Sequence, residues 1–377
     1  MDPIDTQDDT PRRPRGPQVR ALGKGQETHI VMGNLYLRQK QYAEAAQEFE
    51  AALRLKPDSA VAHFSLGNVH LRQKQAARAR ECYEAALRFN PEHAGAHFCL
   101  GLIHLQEKRH AEATHEFEEA LRLNPKQPMV HFTLGNVHLA QRRFQDAARE
   151  FRAALRLKPQ FLAGFFRLGR AQWALGEDEE AIAAYREAAR LNPRLAMPHL
   201  QLGQLLAKAG RHEEAIEAFE AALALRPKLL VARLRLGDLH LERCRFTEAE
   251  AAYGEALRLK PNRGLVHLKI GSLRLAEGRT DDAVAAFQEA LRHNRHLAEA
   301  HRRLGTALAA QGRDDEAAAA YGEAIRINPR MAQAHCDLGD LHAARGRREA
   351  AAAEYRRALE IDPKLAGAGE KLAGMES

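Results

Sequence analysis

Residues 60–93 read AVAHFSLGNVHLRQKQAARARECYEAALRFNPEH, and residues 94–127 read AGAHFCLGLIHLQEKRHAEATHEFEEALRLNPKQ. Laid over one another, they pair Gly67 with Gly101, Ala79 with Ala113, Tyr83 with Phe117, Ala86 with Ala120 and Pro91 with Pro125. The same register runs outward on both sides. Glycine recurs every 34 residues from Gly33 to Gly339, and alanine from Ala45 to Ala351 and from Ala52 to Ala358. Between the two alanines stands an aromatic residue each time, from Phe49 to Tyr355. A strict period in this range marks a stacked repeat array.

Each unit holds two amphipathic segments of about 14 residues, each long enough for a helix of about 20 Å. A polar break such as Arg72-Gln73-Lys74-Gln75 separates them. Proline closes nine of the ten units, from Pro57 to Pro363, and it stops a helix because it lacks an N–H and disfavours helical geometry in the residue before it. Unit eight ends instead in Asn294-Arg295, so that junction is expected to be the softest. Glycine within a helix costs about 1 kcal/mol relative to alanine. Its recurrence therefore implies close approach of helix to helix. The aromatic residue is expected to fill the space between neighbouring hairpins. The reading is all-α, with ten helix–turn–helix units over residues 26–365.

On these residues the chain resembles the tetratricopeptide repeat family, whose W-x₂-L-G-x₂-Y…A…F…A…P pattern falls on positions 4, 7, 8, 11, 20, 24, 27 and 32 of each unit, counted from Gln26. The resemblance implies a right-handed superhelical α-solenoid, with first helices lining a concave face. It says less of function, because such arrays serve many partners.

A solenoid has no single core to outgrow, so 377 residues are read as one array. Residues 1–25 join an acidic cluster (Asp2, Asp5, Asp8, Asp9) to a Pro/Arg stretch, and this composition predicts a disordered tail. Residues 366–377 look like the start of an eleventh first helix, a capping element weakened by Gly367, Gly369 and Gly374 and expected to fray. No apolar run reaches the roughly 18–20 residues of a membrane span. The first residues carry no apolar signal core. Cys82, Cys99, Cys244 and Cys336 form no C-x-x-C pair, which points to a reducing cytoplasm. Heavy Ala and Arg usage points to a bacterial genome rich in GC.

The sequence holds no G-x-S-x-G elbow, P-loop, H-E-x-x-H or EF-hand pattern, so no catalytic residue, cofactor or enzyme activity is assigned. Histidine is abundant, at 19 residues. Eight stand at position 4, among them His29, His97, His131 and His335, and five at position 11, among them His104, His138 and His240. Helical spacing holds such residues about 10 Å apart along one helix, whereas zinc needs ligands at about 2 Å. No metal site is assigned. The histidines are read as half-buried, neutral substitutes for aromatic residues, with folded pKa values below the unfolded one.

By resemblance, the concave lining carries the function. Phe64, Phe98, Phe132 and Phe166 recur at position 5, and Asn34, Asn68 and Asn136 at position 9, where amides can pair with an extended peptide. Further along, position 6 becomes basic at Arg167, Arg235, Lys269 and Arg303, interrupted by Asp238 and Glu299. The family's carboxylate clamp does not carry over, since Arg302 is the one basic residue at any position 5. The chain is therefore read as a non-enzymatic scaffold that binds a protein or peptide partner. The alternatives are a subunit of a larger enzymatic or secretion/assembly complex, or a nucleic-acid-associated protein that uses the arginine stripe. Aromatic and basic residues lie in different halves rather than interleaved, which argues against single-strand binding.

Overall fold

The computed structural model describes residues 25–376, and among them it is all helical, with twenty-one helices and no strand. The expectation for the first 24 residues lies outside the described residues. The chain divides into two compact units that meet in sequence at Leu175 and Gly176. Unit 1 holds α1 (Gln26–Arg38), α2 (Tyr42–Leu55), α3 (Ala60–Arg72), α4 (Ala76–Phe89), α5 (Ala94–Gln106), α6 (His110–Leu123), α7 (Pro128–Ala140), α8 (Phe144–Leu157) and α9 (Leu162–Leu175). Unit 2 begins with α10 (Asp178–Leu191), α11 (Ala196–Lys208), α12 (His212–Leu225), α13 (Leu230–Glu242), α14 (Phe246–Leu259) and α15 (Gly264–Ala276). It continues with α16 (Thr280–His293), α17 (Ala298–Ala310), α18 (Asp314–Ile327), α19 (Ala332–Ala344), α20 (Arg348–Ile361) and α21 (Ala368–Glu376).

The periodic residues make the core. Every alanine of the two series is fully buried, and the aromatic between them is buried in all ten repeats. A fully buried ring of this kind stabilises by about 1.5–3 kcal/mol. In the hairpins contained within one unit, the periodic glycine lies under this ring. A Cβ on Gly33 would stand 2.6 Å from Phe49 Cε1, and one on Gly237 2.4 Å from Tyr253 Cε1. The close approach is thus between the two helices of one hairpin. The rings also reach the next hairpin: Phe117 packs with Val130, Leu134 and Val137 of α7. So the aromatic residue is a wedge within its own hairpin first, and a contact between hairpins second.

The turn inside every hairpin uses one left-handed residue at position 15. It is glycine at Gly176, Gly210, Gly278, Gly312 and Gly346, but Lys40, Lys74, Lys108, Arg142 and Cys244 take the same conformation, with φ between 55° and 62°. A side chain there costs roughly 1–2 kcal/mol, so hairpin packing must over-determine the turn.

The second helices stop in the same way at each repeat, with the residue before proline extended, as at Lys56 (φ −143°, ψ 93°). Asn294, which has no proline after it, is also extended (φ −151°, ψ 95°). The reason is a second stop signal. The Asn294 side-chain oxygen accepts the N–H of His296 at 3.1 Å, as Asn90, Asn124, Asn192 and Asn328 do with the residue two places on. Such Asx turns compete with the helix. At this junction the geometry matches that of its proline-bearing neighbours. At the other end of the chain, α21 packs Leu372 and Met375 on the cluster built around Tyr355 and Ala358.

Candidate functional site

The first helices present the candidate residues. α3, α5 and α7 carry Phe64, Phe98 and Phe132, all half-buried, as is Phe166 on α9. The rings of Phe64, Phe98 and Phe132 lie on the buried wedges rather than standing clear of them. Phe64 packs at 5.8 Å from Tyr83 and 4.4 Å from His93 between ring centroids, and Phe98 at 5.8 Å from Phe117. Phe132 lies 5.8 Å from Phe151 and 4.8 Å from Phe161. The outer faces of these rings are the exposed edge of the core. Asn34, Asn68 and Asn136 are half-buried on α1, α3 and α7. Asn68 has a structural duty as well: its Oδ1 accepts the Tyr83 hydroxyl at 2.9 Å. Phe49 and Phe151, the wedges facing Asn34 and Asn136, have no hydroxyl to offer.

In unit 1 a cavity of about 790 Å³ opens on the first three hairpins. Leu37, Leu71 and Leu102 give it an apolar floor, and Tyr42, Asn68 and Cys99 complete the wall. Arg38, Lys40 and Arg72 stand at its rim, exposed, and no carboxylate lines it among the described residues. Of the candidate site residues named above it gathers Asn68, and its leucines Leu37 and Leu71 stand at position 12 of the same first-helix face. The phenylalanines lie outside it. The sequence reading put the basic character in the later repeats and missed this cluster, although positions 13 and 15 of the first two repeats display it as Arg38, Lys40 and Arg72.

In unit 2 a cavity of about 300 Å³ lies between α13 and α15. Leu230, Val231, Leu234 and Leu265 floor it, while Arg235, Arg263, Lys269 and Asp238 bring charge. The structure therefore brings Arg235 and Lys269 together, around Asp238. Lys269 Nζ lies 2.9 Å from one oxygen of Asp238 and 3.0 Å from the other, and Arg235 stands 3.7 Å away. Arg303 on α17 is apart from them and donates to Glu299 at 2.8 Å. Its neighbour Arg302 bonds both Glu299 and Asp337, at 2.6 and 2.8 Å. Burial works against the Arg302 charge, but these two carboxylates outweigh it and hold its pKa above the ordinary value. Arg167 is half-buried on α9, in unit 1. Much of the basic stripe is thus already matched by the carboxylates that interrupt it.

Three of the position-4 histidines, His97, His131 and His335, bind two local acceptors each. His131 lies 2.6 Å from Glu150 through Nδ1 and 3.1 Å from the Pro125 carbonyl through Nε2. Both partners accept, so both ring nitrogens must donate for both bonds to form. The hydrogen bond to Glu150 chiefly holds the His131 pKa above its ordinary value. This corrects the expectation of a neutral ring there. The same pair of acceptors flanks His97 and His335. At position 11 the outcome is the opposite: burial lowers the pKa of His138 and of His240. Among the described residues no cluster of side chains is placed to hold a metal ion, and no helix is long and apolar enough to cross a membrane.

Comparison with known proteins agrees with this architecture. The family profile described as the cilia and flagella-associated protein 70 C-terminal domain matches residues 161–375. Tetratricopeptide repeat profiles match residues 33–74, 71–128 and 128–161. No curated protein matches the chain. Among solved structures, a tetratricopeptide repeat protein from Parabacteroides merdae is similar over 66% of this chain and 99% of its own, at 17% identity and a TM-score of 0.59. Yeast Tom70 is similar over 93% of this chain and 95% of its own, at 14% identity and a TM-score of 0.52. A chain of the Cut9–Hcn1 hetero-tetramer of the APC/C is similar over 93% and 96%, at 14% identity and a TM-score of 0.51. At such identities the likeness is one of fold. With its 34-residue helical period and these profile matches covering residues 33–375, the chain belongs to the tetratricopeptide repeat family, here in the form of the cilia and flagella-associated protein 70 C-terminal domain over residues 161–375.

Proposed function

We propose that this chain is a non-enzymatic scaffold that binds a partner polypeptide on the faces of its first helices. Tetratricopeptide repeat proteins generally mediate protein–protein interaction, and one observation carries the reading to these faces. In each unit a cavity lies on first helices, with leucines as its floor and cations at its rim. Apolar floors supply affinity, while charged rims steer the encounter and fix register. Phe64, Phe98, Phe132 and Phe166 add aromatic surface along the first helices of unit 1, and Asn34, Asn68 and Asn136 offer amides to a peptide backbone. Arg167, Arg235, Lys269 and Arg303 serve charge recognition. Residues 26–365 act as the binding array, α21 caps it, and the four cysteines remain reduced in the cytoplasm. A phosphate backbone is a poorer ligand, because Lys269 and Arg303 already hold carboxylates.

Affinity capture with quantitative mass spectrometry tests the reading, using the full chain, a Phe98→Ala/Phe132→Ala variant and an Arg235→Glu/Lys269→Glu variant. Proteins captured by the parent are expected to be lost from the first variant at every ionic strength, with helical circular dichroism retained. From the second they are lost chiefly at low salt. An identical captured set on all three proteins overturns the assignment. Retention of the parent on single-stranded RNA that the arginine variant loses favours the nucleic-acid reading instead.

A further inference from the structure

The unit 1 cavity combines two features that call for one kind of ligand. Its floor is aliphatic, and its rim carries Arg38, Lys40 and Arg72 with no carboxylate among the lining residues. In the unit 2 cavity, by contrast, Asp238 already answers the cations. The first cavity therefore suits a segment in which an aliphatic side chain lies among several carboxylates. This chain contains such a segment. Residues 1–10 read MDPIDTQDDT, with Ile4 among Asp2, Asp5, Asp8 and Asp9. The following residues, 11–24, carry Arg12, Arg13, Arg15, Arg20 and Lys24 and no acid, so only the first block is complementary.

We propose that residues 2–9 of this chain occupy the unit 1 cavity, with Ile4 over the leucine floor and the carboxylates of Asp5, Asp8 and Asp9 facing Arg38, Lys40 and Arg72. The chain reaches. The cavity lies at the far end of α1, about 20 Å from Gln26 at 1.5 Å per residue. The 16 residues from 10 to 25 span up to about 50 Å when extended. The volume of about 790 Å³ admits a short extended segment, since pockets of about 300–1,000 Å³ enclose whole small ligands. The occupancy does not depend on the scaffold role proposed above. Because Asn68 belongs to both sites, however, the segment would compete there with a partner.

Zero-length carbodiimide coupling of the chain of residues 1–377 at high dilution, read by peptide mass spectrometry, tests the proposal. Lys40 lies at the cavity, whereas Lys56 follows α2 at the end of the hairpin where α1 begins, nearer the root of the segment. Docking is expected to join Asp5, Asp8 or Asp9 to Lys40 several-fold more than to Lys56. That preference disappears in an Arg38→Glu/Arg72→Glu variant and in about 1 M salt, where the screening length is about 3 Å. Ile4→Ala, which removes the side chain proposed to meet the leucine floor, also lowers it several-fold. Coupling to Lys56 in preference to Lys40 overturns the proposal. So does a Lys40 link that survives both Ile4→Ala and high salt, because simple proximity then explains it.

Discussion

The hydroxyl of Tyr253 donates to Oδ1 of Asp238 at 2.7 Å, across the seventh hairpin. Lys269 of the next hairpin donates to the other oxygen of the same carboxylate. One side chain thus joins a core ring, the first-helix face and the neighbouring repeat. Tyr83 with Asn68, Tyr321 with Thr306 and Tyr355 with Asp340 repeat the hydroxyl bond. Asp340 is bonded by Lys371 of α21 at 2.7 Å, so the last repeat uses the same device to hold its cap. Burial, and then the charge of Asp238, hold the Tyr253 hydroxyl protonated.

Removing that hydroxyl leaves the ring in place and the carboxylate with Lys269. Tyr253→Phe is therefore expected to cost about 1–2 kcal/mol, the range for hydrogen bonds to charged groups after partial compensation. A lowered urea midpoint with unchanged helical content is the readout. An unchanged midpoint would mean that Lys269 and water satisfy Asp238 fully.

Two glycines of one hairpin should respond with opposite sign. A Cβ on Gly237 meets the Tyr253 ring at 2.4 Å, whereas one on Gly254, in α14, meets nothing within 4 Å. Gly237→Ala forces the wedge out of place and is expected to cost about 1–3 kcal/mol or more. Gly254→Ala is expected to gain up to about 1 kcal/mol from helix propensity. Thermal unfolding of the two variants side by side decides the matter.

The unit eight junction accepts the proline it lacks. Asn294 is already extended as pre-proline residues are, like Asn328 before Pro329. Arg295→Pro should stabilise by about 0.4–1 kcal/mol through the unfolded chain. A lowered melting temperature would show that Arg295 needs its N–H or a different φ.

The histidines titrate in opposing directions. The raised pKa of His131 means that the folded state binds the proton more tightly, so its stabilisation is complete below the unfolded value of about 6.5. It is lost as pH rises through the folded value. For His138, whose pKa is lowered, the unfolded state binds more protons and stability falls as pH drops below that value. Between pH 7.5 and 5.5, His131→Gln should therefore make the change in melting temperature more negative than the parent's, and His138→Gln less negative. Equal shifts in both variants would remove the distinction between the two positions.

The hairpins, their number and their core were legible because each is made by residues within one 34-residue period. Gly237 and Tyr253 are only 16 residues apart, and any copy of the pattern packs them alike. The left-handed turn residue was half legible. Gly278 and Gly312 advertise it, but Lys40 and Lys74 occupy the same conformation under the force of hairpin packing, which local propensity opposes. The candidate site divides along the same line. Sequence placed Asn68, Arg235 and Lys269 on first helices, because helical spacing assigns a face. It could not say that Asp238 answers Lys269, 31 residues on, while Arg38 and Arg72 gather over leucines with no carboxylate beside them. Charge matching between repeats depends on how far one helix is set against the next and on which rotamers reach across. Both are decided by packing, and the period of the sequence is silent about them.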